Sequence, residues 1–414
     1  MTVIASQHLV LVGGGLQNAL IALAMADHEH VDVTLLEQRR DFAVDHTWCF
    51  FDTDLDAAGR TLVAPLVTRR WESYDVAFPG VQRTVPTAYN HVSGANLAGV
   101  VRDLFARRPS WQLRLGTKVT RMGATQVLLS SGEVVAADLV VDATGPQLER
   151  QQLPQRGYQK FVGLEVRLTA PHRLQRPVVM DAEVQQEDGL RFFYLLPLDD
   201  RRVLVEDTRF SDGPELNSAR LSGQVRAYIE ERGWQIAEVV RQEQGVLPLP
   251  WSRTEGVEVD ASQPERHRSA PLRLGYGGGW FHPITGYSFG SAVRLAQHIC
   301  RTAPQSRNAA FTRLQRRIRR QQSWLMLLNR ALFRHYRPSD RWILMARFYR
   351  SPLKAIERFY AMTMTPWDFI RLVIGRPPAK MRLRPWTPHA ALPLVTTPSA
   401  VTSAYATSHQ EVSP

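Results

Sequence analysis

An α/β fold is predicted, in which an antiparallel sheet is inserted into a parallel βαβ unit and a helical region follows. Three observations carry it: an early apolar run that ends in consecutive glycines and enters helix-forming sequence, a middle third of alternating strand-like runs, and a basic C-terminal stretch with helical periodicity. The early run, His8-Leu-Val-Leu-Val12, meets Gly13-Gly14-Gly15, and residues 16–26 have the composition of a helix. A second β-branched run, Val31-Asp-Val-Thr-Leu-Leu36, ends in Glu37. Strand, glycine turn, helix, strand and acid in that order make a Rossmann-like dinucleotide site. Gly13 and Gly15 let the backbone approach a pyrophosphate that faces the helix N-terminus, and Glu37 accepts hydrogen bonds from ribose hydroxyls. Asn18 stands where a third glycine would permit close helix–strand packing, so a tight turn with no cofactor also fits the spacing.

Two later segments repeat the theme. After a helix expected from Ser93 to Arg108 and short strands within 113–120 and 126–135, an apolar strand runs through Val140 and Val141 into Ala143-Thr-Gly145. Residues 272–286 form a strand and a glycine-rich loop that ends in Thr285 and Gly286, before a helix at 287–301. Each alone is a buried strand with a glycine exit; the three spaced glycine elements together point to FAD. Between roughly 155 and 265, strand-like runs at 161–168, 191–196 and 203–205 alternate with Pro and Asp-Asp turns, and 69–85 looks similar. The expected organisation is a discontinuous FAD-binding domain at 1–150 and 266–305, a substrate-binding domain at 151–265, C-terminal helices at 306–384, and a disordered tail at 385–414. Residues 68–88 fit either the first domain or the substrate sheet.

Composition limits the chemistry. With 414 residues, 44% of them hydrophobic, the chain can bury a substantial core, and neither a small binding module nor a disulfide scaffold fits. Two cysteines, Cys49 and Cys300, make no secreted framework, and no CxxC or HExxH spacing offers a zinc site. Catalysis is left to a cofactor or to ordinary acids and bases, with no metal expected. Only four of the 51 basic residues are Lys and the formal charge is +12, an excess that suits nucleic acid, an anionic lipid surface, or codon bias alone. No run reaches the ~20 apolar residues of a membrane span. No basic segment with a cleavage site opens the chain, so a cytoplasmic protein is expected. Phe311, Leu314, Ile318, Leu325, Leu328 and Leu332 recur at helix-face spacing, with Arg313, Arg316, Arg317, Arg319 and Arg320 opposite. That pattern fits an interfacial helix on lipid or a surface helix packed on the core.

Glu206 and Asp207 directly follow a strand that otherwise reads as buried. Neighbours on a strand point to opposite faces, so one carboxyl can enter a pocket while the other pairs with Arg. Desolvation favours the neutral form of a carboxyl in an apolar cavity, the condition for a general acid near neutral pH. A solvated or salt-bridged pair at a strand end fits the spacing equally. Trp48, Phe50 and Phe51 follow the second strand, and Trp251, Trp280, Phe281 and Tyr287 lie near the late glycine loop. Such rings are ordinary core, or they hold a long apolar substrate and steady a cation through their π faces.

In combination, His46-Thr-Trp48, Phe161-Val-Gly163, Asp181-Ala182, Phe193-Tyr-Leu-Leu-Pro197, Val205-Glu-Asp-Thr208, Gly245-Val-Leu-Pro248, His282-Pro-Ile-Thr-Gly-Tyr-Ser288 and Ile356-Glu-Arg-Phe-Tyr360 resemble the bacterial lycopene β-cyclases of carotenoid synthesis, from about residue 8 to 378. The pattern departs at Ala19 and at Ala43-Val-Asp45, both on the cofactor side. The resemblance implies an isomerase that needs reduced FAD, with NAD(P)H as electron source, yet passes no net electrons to substrate. It implies Glu206 as the acid that protonates the ψ end of lycopene and Asp207 as the partner that orients or tunes it, while leaving the final base unassigned. Cyclisation at both ends would give β-carotene through γ-carotene. Gly13, Gly15, Asn18, Glu37, Gly145, Thr285 and Gly286 are then the cofactor residues, and Trp48, Phe281, His282 and Tyr287 the substrate residues. Lycopene and other ψ-ended carotenoids are the expected partners, with a peripheral position on the inner face of the membrane and no nucleic acid. A flavin-dependent reductase or monooxygenase of an isoprenoid lipid would use the same glycine elements but change substrate mass. A non-catalytic dinucleotide-binding protein would release flavin on denaturation and convert nothing.

Overall fold

Five parallel strands form one layer of the computed structural model, which describes residues 6–41, 46–145, 156–252, 270–302 and 307–374. Across the sheet they run Leu272–Arg273, Leu139–Asp142, Gln7–Val12, Val31–Leu36 and Gln112–Arg114. The central strands are rich in Val and Leu because both faces are covered. One face packs through Leu9, Leu11 and Leu35 on the helices Leu16–Ala24, Gly94–Ala106 and Phe289–Arg301. The other packs through Val10, Val12 and Val140 on a small antiparallel sheet of Val119–Met122, Gln126–Leu129 and Val134–Ala136. Ser93 caps the helix Gly94–Ala106, its hydroxyl accepting from the Asn96 N–H at 3.2 Å. The edge strand Leu272–Arg273 carries the late glycine loop to the earlier one: a Cβ on Gly277 would stand 2.3 Å from the Gly145 carbonyl oxygen. The expected tail at 385–414 and the departure at residues 43–45 lie outside the described residues.

A seven-stranded sheet forms the second layer, in the order Ile236–Pro250, Arg156–Leu168, Arg202–Ser211, Leu190–Pro197, Val178–Asp181, Tyr74–Phe78 and Val81–Val85. Its neighbours are antiparallel except for Val178–Asp181 with Tyr74–Phe78. A three-stranded sheet of Thr47–Phe51, Tyr89–Ser93 and Arg69–Trp71 lies between the layers in sequence. Leu164, Val166, Val203 and Val205 pack on the helix Ser218–Glu231 from one face of the large sheet. Phe192, Leu196, Leu204 and Phe210 join the C-terminal helices from the other.

The strand bearing the two acids is longer than its sequence suggests. It runs on to Ser211, so Glu206 and Asp207 sit mid-strand and not at its end. The ladder continues past them because each face supplies the carboxyl pointing into it with polar partners. The helix Arg307–His335 buries Phe311, Ile318, Leu325 and Leu332 in the two main cores and exposes Arg313, Arg316, Arg317 and Arg320. Its apolar stripe therefore covers protein. Three shorter helices follow, Arg341–Phe348, Leu353–Tyr360 and Pro366–Val373, and among the described residues no helix is long and apolar enough to cross a membrane.

Candidate active site

Alternation along Arg202–Ser211 sends its two acids to different surroundings. Asp207, fully buried, faces the helix Ser218–Glu231 with its neighbours in register, Val205 and Arg209. Arg191 grips it through Nε at 3.1 Å and Nη2 at 2.9 Å, and Arg209 Nη2 adds a contact at 3.1 Å. Arg209 reaches on to Gln224 of the helix at 2.6 Å, so this carboxylate ties sheet to helix. Glu206 lies on the opposite face and lines a cavity of about 240 Å³ with Trp48, Phe161, Tyr194, Leu247, Thr285, Gly286 and Tyr287. Thr208 donates its hydroxyl to Glu206 Oε1 at 2.5 Å. Burial, and next the carboxyl of Glu243, push Glu206 up to about 8 from the ordinary 4.5.

Glu243 is the functional candidate that the sequence did not single out. It lies on Ile236–Pro250, and both it and Glu206 are in register with Gly163 on the strand between them. Gly163 leaves open the space a side chain would fill: a Cβ there would meet Glu243 Cγ at 3.1 Å and Glu206 Cβ at 3.4 Å. The two carboxyls act on each other across that gap. Arg241, one turn of the pleat earlier on the same face, donates to Glu243 at 2.7 Å, to Glu165 at 3.1 Å and to Thr47 at 2.7 Å. Thr47 of the His46-Thr-Trp48 segment is thereby tied to the acid pair. The alternation Arg241, Glu243, Gly245, Leu247 on one strand face was the available signal.

The late loop supplies the opposite wall. Tyr287 hydroxyl lies 3.1 Å from that of Tyr89 and 3.3 Å from that of Tyr194, and burial holds all three phenols well above their ordinary pKa. His282 stands behind the wall: Nδ1 accepts from the N–H groups of Ile284 and Thr285, both at 3.2 Å, and Nε2–H donates to the Phe359 carbonyl at 3.0 Å. Burial lowers its pKa to about 3, so the ring is a neutral clamp on the turn. Phe281 also lies off the cavity, stacked on Tyr276 at 3.9 Å. Trp48 and Tyr287 are thus on the cavity wall, Phe281 and His282 in its support. The Thr285 N–H is used by His282 Nδ1 and the Gly286 N–H by the His282 carbonyl at 2.9 Å, so both residues present walls and not donors. Gly286 makes the turn at φ +68°.

At the first glycine turn Gly13 has φ +101°, and a Cβ would come within 2.7 Å of the Ala143 carbonyl oxygen. Asn18, fully buried, donates to the Val12 and Gly13 carbonyls, both at 2.9 Å, so it braces the turn from the third-glycine position. Glu37 accepts from the Gly14 N–H at 2.6 Å and the Arg39 N–H at 2.8 Å. No atom lies within 4 Å of the Cβ position at Gly15, whose helix has no side-chain cap, or at Gly145. Open space before an uncapped helix N-terminus, with an acid at the next strand tip, fits a dinucleotide's pyrophosphate and ribose. On the cavity wall Gln159 Oε1 is buried without a hydrogen-bond partner, 3.0 Å from the Cβ position of Gly286, and so suits an N–H from a bound ring.

Residues 8–384 match the family described as lycopene cyclase protein. The lycopene β-cyclase of Paracoccus sp. is 37% identical over 380 residues, covering 89% of this chain and 94% of that one. The Pantoea ananas lycopene β-cyclase is 35% identical over 375 residues, covering 89% and 94%. Among solved structures, a probable FAD-dependent monooxygenase from Pseudomonas aeruginosa superposes with a TM-score of 0.58 at 16% identity, covering 83% of this chain and 100% of that one. A geranylgeranyl bacteriochlorophyll reductase-like protein from Thermoplasma acidophilum superposes with a TM-score of 0.57 at 12% identity, covering 89% and 96%. At those identities the likeness is one of fold.

Proposed function

The chain belongs to the lycopene cyclase family, and from that membership we propose that it is an isomerase, a lycopene β-cyclase, whose Glu206 starts ring closure by protonating the ψ end of its substrate. The observation that carries the proposal is a carboxyl on an aromatic-lined cavity wall that keeps its proton to about pH 8. Thr208 holds one oxygen of Glu206. Phe161, Tyr194 and Tyr287 line the same cavity, and aromatic π systems favour the positive charge that protonation creates. Attack by the neighbouring double bond closes the ring, and loss of a ring proton completes a β-ionone end with mass unchanged. Two rounds give β-carotene through γ-carotene.

Gly13, Gly15, Asn18, Glu37 and Gly145 would hold FAD at its pyrophosphate and ribose, with Gln159, Thr285 and Gly286 against its ring. Held there and reduced with electrons from NAD(P)H, FAD would supply negative charge that stabilises a cation, and no hydride. A membrane is the proposed source of so apolar a substrate. Trp367, 76% exposed, forms with Ile370, Val373 and Ile374 an exposed apolar stripe along and just beyond the last described helix, next to the exposed Arg371. We assign that stripe to an anionic leaflet on the cytoplasmic side.

The test is conversion of lycopene in anionic vesicles by the full chain with reduced flavin, followed by chromatography and mass spectrometry. Cyclic product of unchanged mass is expected, with conversion by Glu206→Gln lower by ~100-fold or more. Equal conversion by both would remove Glu206 from the role, and a product of altered mass would favour a redox enzyme.

A further inference from the structure

We infer that Glu243 is the base of this site: it takes the ring proton that the cyclised cation must lose and returns it to Glu206 through the gap at Gly163. The inference rests on Glu206 being the acid. Strands one removed from each other lie about 10 Å apart, and an intervening side chain normally fills that gap. Here it is glycine, and two carboxyls from non-adjacent strands meet across it on the cavity side. Arg241, held from behind by Glu165 and Thr47, pairs with Glu243 on that same face and fixes the direction of its carboxyl.

The reaction needs such a pair. Proton delivery forms one C–H bond, ring closure forms one C–C bond, and a ring C–H bond must then break so that its electrons make the new double bond. One proton enters and one leaves. If the leaving proton goes to Glu243, its transfer to Glu206 across the gap at Gly163 restores neutral Glu206 and anionic Glu243, and the site is reset without water. Cys49 and the phenols of Tyr89, Tyr194 and Tyr287 on the wall are held protonated by burial. His46 also lies on the wall, packed against Trp48 with ring centroids 5.6 Å apart. Glu243 is the group in register with the acid across Gly163, and its carboxyl acts directly on that of Glu206.

The experiment runs wild type, Glu243→Gln and Glu206→Gln in D2O with lycopene in vesicles and reduced flavin, and measures β-ring formation together with deuterium in every recovered carotenoid. For Glu243→Gln, β-ring formation is expected to fall ~10-fold or more. Deuterium should then accumulate in recovered lycopene, or in rings of the same mass class whose double bond has formed by loss of a different proton. Protonation still occurs in that variant, and the cation has lost its proper exit. For Glu206→Gln neither ring nor deuterium is expected. Glu243→Asp, which keeps the carboxylate but shortens its reach, should give slower yet β-only product and covers the case in which the amide fails to fold. Wild-type rate and product from Glu243→Gln would overturn the inference, as would slowed turnover with no deuterium in lycopene or in altered rings. Full activity of Glu206→Gln would instead overturn the assignment of the acid.

Discussion

At Glu206 the folded chain keeps a proton up to about pH 8, whereas a carboxyl in the unfolded chain loses it near 4.5. Between those values the native state binds more protons than the unfolded one, so this residue's contribution to stability falls as pH rises across the window. Glu206→Gln, which carries no charge to desolvate, is therefore expected to raise the thermal midpoint relative to wild type at pH 8 while ring formation is lost. Differential scanning fluorimetry at pH 5 and pH 8 checks the sign. The activity of wild type should decline as pH rises through about 8. The groups facing the acid are Glu243 with Arg241, Asp207 across the strand, Cys49, and the phenols of Tyr89, Tyr194 and Tyr287, and burial keeps the thiol and phenols protonated beyond that range. Gly163→Ala places a methyl group 3.1 Å from Glu243 Cγ and 3.3 Å from Leu204 Cδ1, so the two carboxyls must separate. With less repulsion from Glu243, the alkaline limb of the rate profile should move to lower pH, and turnover should fall ~10-fold. An unmoved limb in a folded Gly163→Ala protein would contradict the described pairing.

The helix Arg307–His335 acts through its buried amides. Asn329, fully buried, donates to the carbonyls of Pro250 at 3.1 Å and Pro283 at 2.6 Å, and Gln322 donates to those of Gly279 at 2.7 Å and Phe281 at 3.0 Å. The helix thus pins the loop that forms one wall of the cavity. Asn329→Ala strips two buried carbonyls of their donor and is expected to cost about 2–3 kcal/mol, read by urea unfolding, with weaker flavin retention on gel filtration. Periodicity made this helix legible and showed that Phe311, Ile318, Leu325 and Leu332 share a face, but it carries no information on what covers that face. The βαβ start was legible for a stronger reason, because Gly13, Gly15 and Glu37 have fixed positions relative to the strand ends. The opposed directions of Glu206 and Asp207 follow from strand alternation alone. Glu243 was not legible: its contact with Glu206 spans a third strand and depends on the side chain that Gly163 lacks.

At the scale of the whole molecule, two buried histidines work against stability on the acid side. Burial lowers His91 to about 4 and His282 to about 3, against 6.5 in the unfolded chain. As pH falls below 6.5 the unfolded state takes up protons first, so the stability these rings contribute is lost progressively toward pH 4. Around His91 stand Thr68, Glu165, Arg202 and Arg241; around His282 stand Arg294 and the backbone groups of Ile284, Thr285 and Phe359. Glu206 and Asp54, both raised by burial, trend the opposite way over this range, so the ring's effect is read by difference: compared with wild type, His91→Gln should shift its urea midpoint upward at pH 5 relative to pH 7. The exposed stripe at Trp367, Ile370, Val373 and Ile374 predicts that Trp367→Ala reduces sedimentation with anionic vesicles several-fold while flavin content is unchanged.

Because Asn329 and Gln322 lie after every strand and glycine turn among the described residues, shortening has a sharp limit. A version cut at residue 302 would retain the dinucleotide turns and the acid-bearing strand, yet the carbonyls of Gly279, Phe281 and Pro283 would be left to solvent. Any compact catalyst engineered for pigment production must carry the helix Arg307–His335, since that part supplies rigidity to a wall it does not itself form.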